Sequence, residues 1–319
     1  PVARRSAWPA QGPSVVPTQP HTIWLGDSLG EMALYYGLAD VALLGGYQFS
    51  GFNQTLLRTG ALEKGSNQRF AETMQWALDV VDAGGLDKFG SGYRSTVRVR
   101  FVHAMVRRHV QALPDWRDEQ WGLPINQTDM AATLVGALIA PTAGALAMGI
   151  VATPAELNAV AHLTRYVGWL MGVQDEWLPR SFRDSVRVLY QTSTALAVSD
   201  ETTRQLSVPM ARDPLSWHYR DAAGLRRRLA WAQHLSVTTA FLGPRVMRTL
   251  GLPAYMPPWY PLLRVPVNGV RSIAALILPG GSDRAAERGS REQKALLRTM
   301  IGDDRATIGA SASHLRGVA

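Results

Sequence analysis

The sequence predicts an all-α fold, one globular domain of roughly ten helices. Helix start and stop signals recur along the chain, whereas few runs alternate apolar and polar residues with period two. No Asn-Gly or Asp-Gly pair is flanked by the alternating apolar residues that a hairpin needs. No low-complexity tract, repeat period or linker divides the 319 residues, 46% of which are hydrophobic.

The elements follow in order. Residues 1–20 are Pro-rich and read as an extended segment, leaving 21–319 as the helical domain. Ser66 is placed to cap a helix running to about Val81, stopped by Ala83-Gly84-Gly85. A second helix spans about Tyr93–Ala112 and ends before Pro114. Asn126, with Asp129 three residues on, opens a helix to about Ala140. Thr153-Pro154-Ala155-Glu156 supplies an N-cap, a proline in the first turn and an acid at the third position, starting a helix to about Val173. Further helices fall near 181–197, 217–241, 243–249, 267–278 and 283–301. The stretch Pro253–Pro266, with five prolines, reads as an ordered loop packed on the body.

The segment Met130–Ala152 carries no charge over more than a membrane-spanning length. Pro141 and Gly144 interrupt it, so it reads as two buried helices meeting at a turn in preference to a membrane span. Arg4-Arg5 is not followed by an apolar run, so no secretion signal is read in the residues present. The expected location is cytoplasmic, with peripheral membrane association as the alternative.

The chain has no cysteine, which excludes disulfides, thiolate nucleophiles, iron–sulfur clusters and thiolate-ligated metals. Net charge is +8, with basic clusters at Arg4-Arg5, Arg107-Arg108 and Arg226-Arg227-Arg228. No nucleic-acid motif accompanies it, so no nucleic-acid partner is expected, while an anionic membrane or acidic cofactor suits the charge. The seven histidines form no HxH or HExxH spacing. No phosphate-binding glycine loop or GxSxG elbow is present.

Two segments thirty residues apart hold the candidate chemistry. Arg69, Glu72 and Thr73 share one helix face. They read either as an exposed ion pair or as a polar cluster facing a ligand. His103 lies in an apolar helical run with Val99, Arg100, Val106 and Arg107 at helical spacing. It reads either as a core histidine or as an imidazole ligand, with apolar contact for a flat cofactor and guanidiniums for its acidic groups.

In order and spacing, Arg69-x-x-Glu72-Thr73 and Arg100-Phe-Val-His103-Ala-Met-Val-Arg107 resemble the latex-clearing protein (rubber oxygenase) and MpaB oxygenase family. Two further segments support this: Trp121-Gly-Leu-Pro-Ile-Asn126-Gln127-Thr-Asp129 and Arg165-Tyr-Val-Gly168-Trp-Leu-Met-Gly172-Val-Gln-Asp175-Glu176-Trp-Leu-Pro179. The resemblance covers about Gly51–Pro179. It implies globin-like helical packing around a buried, non-covalent haem b. His103 matches the iron ligand, Arg69 and Thr73 match distal-pocket positions, and Val99, Arg100, Val106 and Arg107 are placed to bind the cofactor. Glu72 departs from the lysine of rubber-cleaving members, and no acid precedes Arg69 where those enzymes place a base; Asn53-Gln54 lies near there. The resemblance therefore implies a haem b-dependent oxygenase acting on a hydrophobic small molecule (a terpenoid, lipid or aromatic metabolite) rather than on polyisoprene. Glu72 takes the acid–base role, and Arg69 and Thr73 position oxygen. Oxidative C=C cleavage with O2 is the first expectation and peroxide-dependent oxidation the second. A non-catalytic haem or lipid binder is the remaining alternative.

Overall fold

The computed structural model describes residues 32–59, 65–82 and 84–302, and the side chains of residues 32–37 are not described. The expected extended segment 1–20 lies outside these residues. Among the described residues there are twelve α-helices, two single-turn 3-10 helices and no strand, so the fold is all-α.

In chain order the helices are α1 (Met32–Gly46), α2 (Ser50–Arg58), α3 (Ser66–Val81), α4 (Ser91–Gln111), α5 (Asp118–Trp121) and α6 (Gln127–Ala147). They continue as α7 (Pro154–Met171), α8 (Phe182–Leu196), α9 (Glu201–Arg212), α10 (Ala223–Thr249), α11 (Trp259–Ile277) and α12 (Gly281–Ile301). The apolar α6 runs through the middle and packs on α1, α7 and α8. Most of the window that would suit a membrane is buried by these neighbours, as expected of a core helix. The turn expected from the sequence at Pro141 and Gly144 is absent. Pro141 lies inside α6 without ending it, and the Thr142 hydroxyl donates to the Leu138 carbonyl at 2.7 Å. Gly144 serves close packing instead of breaking the helix: a Cβ there would lie 2.9 Å from Leu38 Cδ2 of α1.

Local chemistry explains the other boundaries. Asn126 caps α6 by accepting from the Asp129 N–H at 2.9 Å. Thr153 and Glu156 form the expected capping box on α7, which ends at Gly172 with φ 94°. Ser66 is not the cap of α3. Gly65 occupies that position with φ 87°, and the Ser66 hydroxyl donates to Asp213 at 2.7 Å. The expected helices at 217–241 and 243–249 are the two arms of α10, broken at Gly243 (φ 74°, ψ 168°) ahead of Pro244. The loop expected over Pro253–Pro266 is shorter, because α11 begins at Trp259. Pro261 sits in the first turn, where a missing N–H is tolerated best, whereas Pro266 lies inside the helix without ending it.

Helices α3 and α4 pack directly together. The two helices come into backbone contact near their connection. A Cβ at Gly92 would overlap the Asp79 carbonyl and crowd Val80 Cα. One step further in, Trp76 donates its indole N–H to Thr96 at 3.0 Å.

Candidate active site

Beyond that contact, α3 and α4 flank a cavity of about 230 Å³ that residues of α1, α2 and α6 also line. Every polar residue singled out on α3 lines it: Arg69, Glu72 and Thr73. From α4 come Val99, Val102, His103 and Val106. The two candidate segments therefore meet across one space, and the reading of Arg69–Thr73 as a surface ion pair is set aside.

Arg100 and Arg107 do not line the cavity. A helix turns 100° per residue, so Val99, Val102, His103 and Val106 fall in an arc of about 100°, with both arginines beyond its edge. Arg100 donates to the Leu170 carbonyl at 3.2 Å, against Gly172. Arg107 donates to the carbonyls of Pro124 (3.1 Å) and Ile125. Both guanidiniums tie α4 to neighbouring chain rather than face the cavity.

The electrostatics of the lining are distinctive. Burial, together with the nearby charges of Arg69 and Arg107, lowers the pKa of His103 to about 4. The imidazole is therefore neutral at physiological pH, the form a metal requires. Its Nδ1 is buried with no hydrogen-bond partner. Burial also pulls the Arg69 guanidinium below its ordinary value, while Glu72 and then Tyr47 oppose this by stabilising its charge. Glu72 is buried beside it. The Thr73 hydroxyl donates to the Arg69 carbonyl at 3.3 Å.

Some lining residues escaped the sequence reading. Asp129, read only as part of a cap, also borders the cavity, and burial raises it to about 6. Tyr47, just after α1, lines the cavity, with its phenol pushed well up by burial and by Asp40. Asn53 and Gln54 do not line it. Asn53 donates to the Tyr47 carbonyl at 2.7 Å and Gln54 to Asp200 at 3.0 Å. His162 and His218 are likewise absent from the lining. His234 lies outside as well, and its Nδ1 meets Asp40 Oδ2 at 2.8 Å in a buried ion pair.

The fold and cavity define a helical protein with a mainly apolar cavity between its helices. The chain belongs to the family described as ER-bound oxygenase mpaB/B'/rubber oxygenase, catalytic domain, whose model matches residues 32–277. It is 27% identical over 116 residues to the rubber oxygenase of Streptomyces sp. (strain K30), covering 36% of this chain. That match spans 28% of the relative's length. The solved structure of latex clearing protein LCP in the closed state superposes with a TM-score of 0.57 at 20% identity. It covers 84% of this chain and 73% of that one and supports the shared fold.

Proposed function

We propose that this chain is a haem b-dependent oxygenase acting on a hydrophobic small molecule, with oxidative cleavage of a carbon–carbon double bond as its reaction. One observation carries the reading. A neutral buried imidazole and a buried carboxylate–guanidinium pair line a single apolar cavity, in a chain of an oxygenase family. The donor set fits haem. His103 offers an unprotonated nitrogen in an apolar wall, and one of its ring nitrogens is buried without a partner.

In this reading His103 holds the iron, and Val99 and Val106 provide apolar contact to the macrocycle. Arg100 and Arg107 would pair with its acidic groups only by releasing the carbonyls they now hold. Bound haem would supply the iron centre that activates dioxygen. The protein's own groups do the rest. Arg69 holds positive charge in a water-poor wall, where it stabilises negative charge on oxygen strongly. Glu72 takes up or returns a proton at its carboxylate. The lone pairs of the Thr73 hydroxyl orient a protonated oxygen. The apolar remainder (Leu43, Phe52, Phe70, Leu134) admits a hydrophobic substrate and excludes water.

A second reading, peroxide-dependent oxidation, is favoured by Glu72 lying beside Arg69, because a paired acid and cation assist O–O cleavage.

The test is the UV–visible spectrum of purified protein supplied with haem, beside His103→Ala. The expected result is a Soret band in the parent that weakens or shifts in the variant. A parent without a Soret band after haem is added overturns the proposal. Oxygen uptake without added peroxide then separates the first reading from the second.

A further inference from the structure

Helix α11 is amphipathic in the wrong sense for a core helix. Its inward positions are Pro261, Asn268 and Ser272. Asn268 donates to the Met148 carbonyl at 2.9 Å, and Ser272 accepts from the Val151 N–H at 2.8 Å and donates to the Val151 carbonyl at 3.2 Å. Gly149 comes so close that a Cβ there would overlap the Val265 carbonyl. The helix is thus pinned to the body through polar groups, and its rotation is fixed. The face left outward is apolar: Leu262, Leu263, Val267, Val270, Ile273 and Ile277 recur at helical spacing. Leu262 is 71% exposed, Val270 71% and Ile277 74%. An outward stripe of this length, about 23 Å from Leu262 to Ile277 at 1.5 Å per residue, far exceeds the scattered apolar residues of an ordinary surface.

Charge identifies what the stripe meets. Between Asp221 and Asp283 the chain has no Asp or Glu over 61 residues, yet it holds seven arginines: 226, 227, 228, 245, 248, 264 and 271. Helix α11 lies wholly within this stretch. An apolar face carried by an acid-free, arginine-rich stretch of chain complements a layer that is apolar inside and anionic at its rim. The exposed Tyr255, four residues before α11, adds an aromatic side chain suited to an interface.

We propose that α11 seats this protein on an anionic lipid bilayer, lying along the interface with Val270 and Ile277 immersed. This inference stands apart from the haem reading and is tested without the cofactor. The chain has no native cysteine, so Val270→Cys carries an environment-sensitive fluorophore at one position, and Glu119→Cys on exposed α5 is the control. Full-length labelled protein is mixed with vesicles of phosphatidylcholine alone or blended with phosphatidylglycerol. A blue shift at position 270 with anionic vesicles, reduced by salt and absent at 119, is expected. Co-sedimentation of Val270→Glu/Ile277→Glu should show affinity lowered by roughly tenfold or more. Both positions are exposed, so its circular dichroism should match the parent. No shift at 270, equal shifts at both positions, or undiminished binding by the double variant overturns the proposal. So does a shift at 270 that grows with protein concentration in the absence of lipid, which would make the face a contact between copies of the chain.

Discussion

Glu72 is the residue on which the proposed chemistry turns. Its substitution by Gln keeps the shape and removes the proposed proton-transfer group. Glu72→Gln should therefore lower turnover by roughly 10²- to 10⁴-fold while leaving the Soret band of haem-loaded protein in place. A variant with parental turnover would show that the carboxylate is not the acid–base group. Asp213 gives a test in pH. Burial pushes its carboxyl up to about 7, with the Ser66 hydroxyl opposing and Asp40 reinforcing the rise. A carboxyl raised in the folded state binds its proton more tightly there than in the unfolded chain, so stability falls as pH climbs from about 4 to about 7. Asp213→Asn keeps an acceptor for Ser66 and removes the titration. It should be more stable than the parent by about 2 kcal/mol near pH 8 and no more stable near pH 4, read by urea unfolding. Helical spacing set Arg69, Glu72 and Thr73 on one face and His103 in an apolar run, and the family resemblance singled them out as a site. The sequence did not expose Asp129, whose capping role hid its second surface, or the pairing of His234 with Asp40, 194 positions apart in the chain.

At the scale of elements, helix ends marked by side-chain chemistry were legible and those set by packing were not. The capping box of α7, the Asn126 cap of α6 and the Gly243 break of α10 all stand where the residues place them. Helices α1, α2 and α9 carry weaker local signals; the Ser50–Arg58 and Glu201–Arg212 helices are partly polar and gain order from tertiary contacts. Pro141 and Gly144 misled because propensity yields to burial: α6 is enclosed, and its small residues admit Leu38. Gly144→Ala should thus destabilise the protein by about 1–3 kcal/mol despite the better helix propensity of alanine. A rise in stability on thermal unfolding would mean that Leu38 moves aside freely.

For the whole molecule, the fold is a set of helices stacked around α6, with the cavity placed off-centre between α3 and α4. A ligand that fills such a space binds the folded chain alone, so it must add stability. Haem at about a hundred times its dissociation constant should contribute about 2.7 kcal/mol. The midpoint of thermal unfolding should rise for the parent and stay unchanged for His103→Ala. Equal shifts in both would point to haem held elsewhere.

The bare contact at Gly92 has a mechanical consequence. Two stiff rods touch at one end and carry the reactive groups further along, as the jaws of a pair of forceps do. Glu72 lies about 12 Å from that fulcrum along α3, and His103 about 16 Å along α4, taking 1.5 Å per residue. A few degrees of opening at the fulcrum therefore moves each jaw by about 1 Å at its working end, enough to upset a positioned reaction. Gly92→Ala inserts a wedge there, touching neither group. It should weaken haem binding and slow turnover together, making the gap between the jaws a quantity that one methyl group at a distance can set.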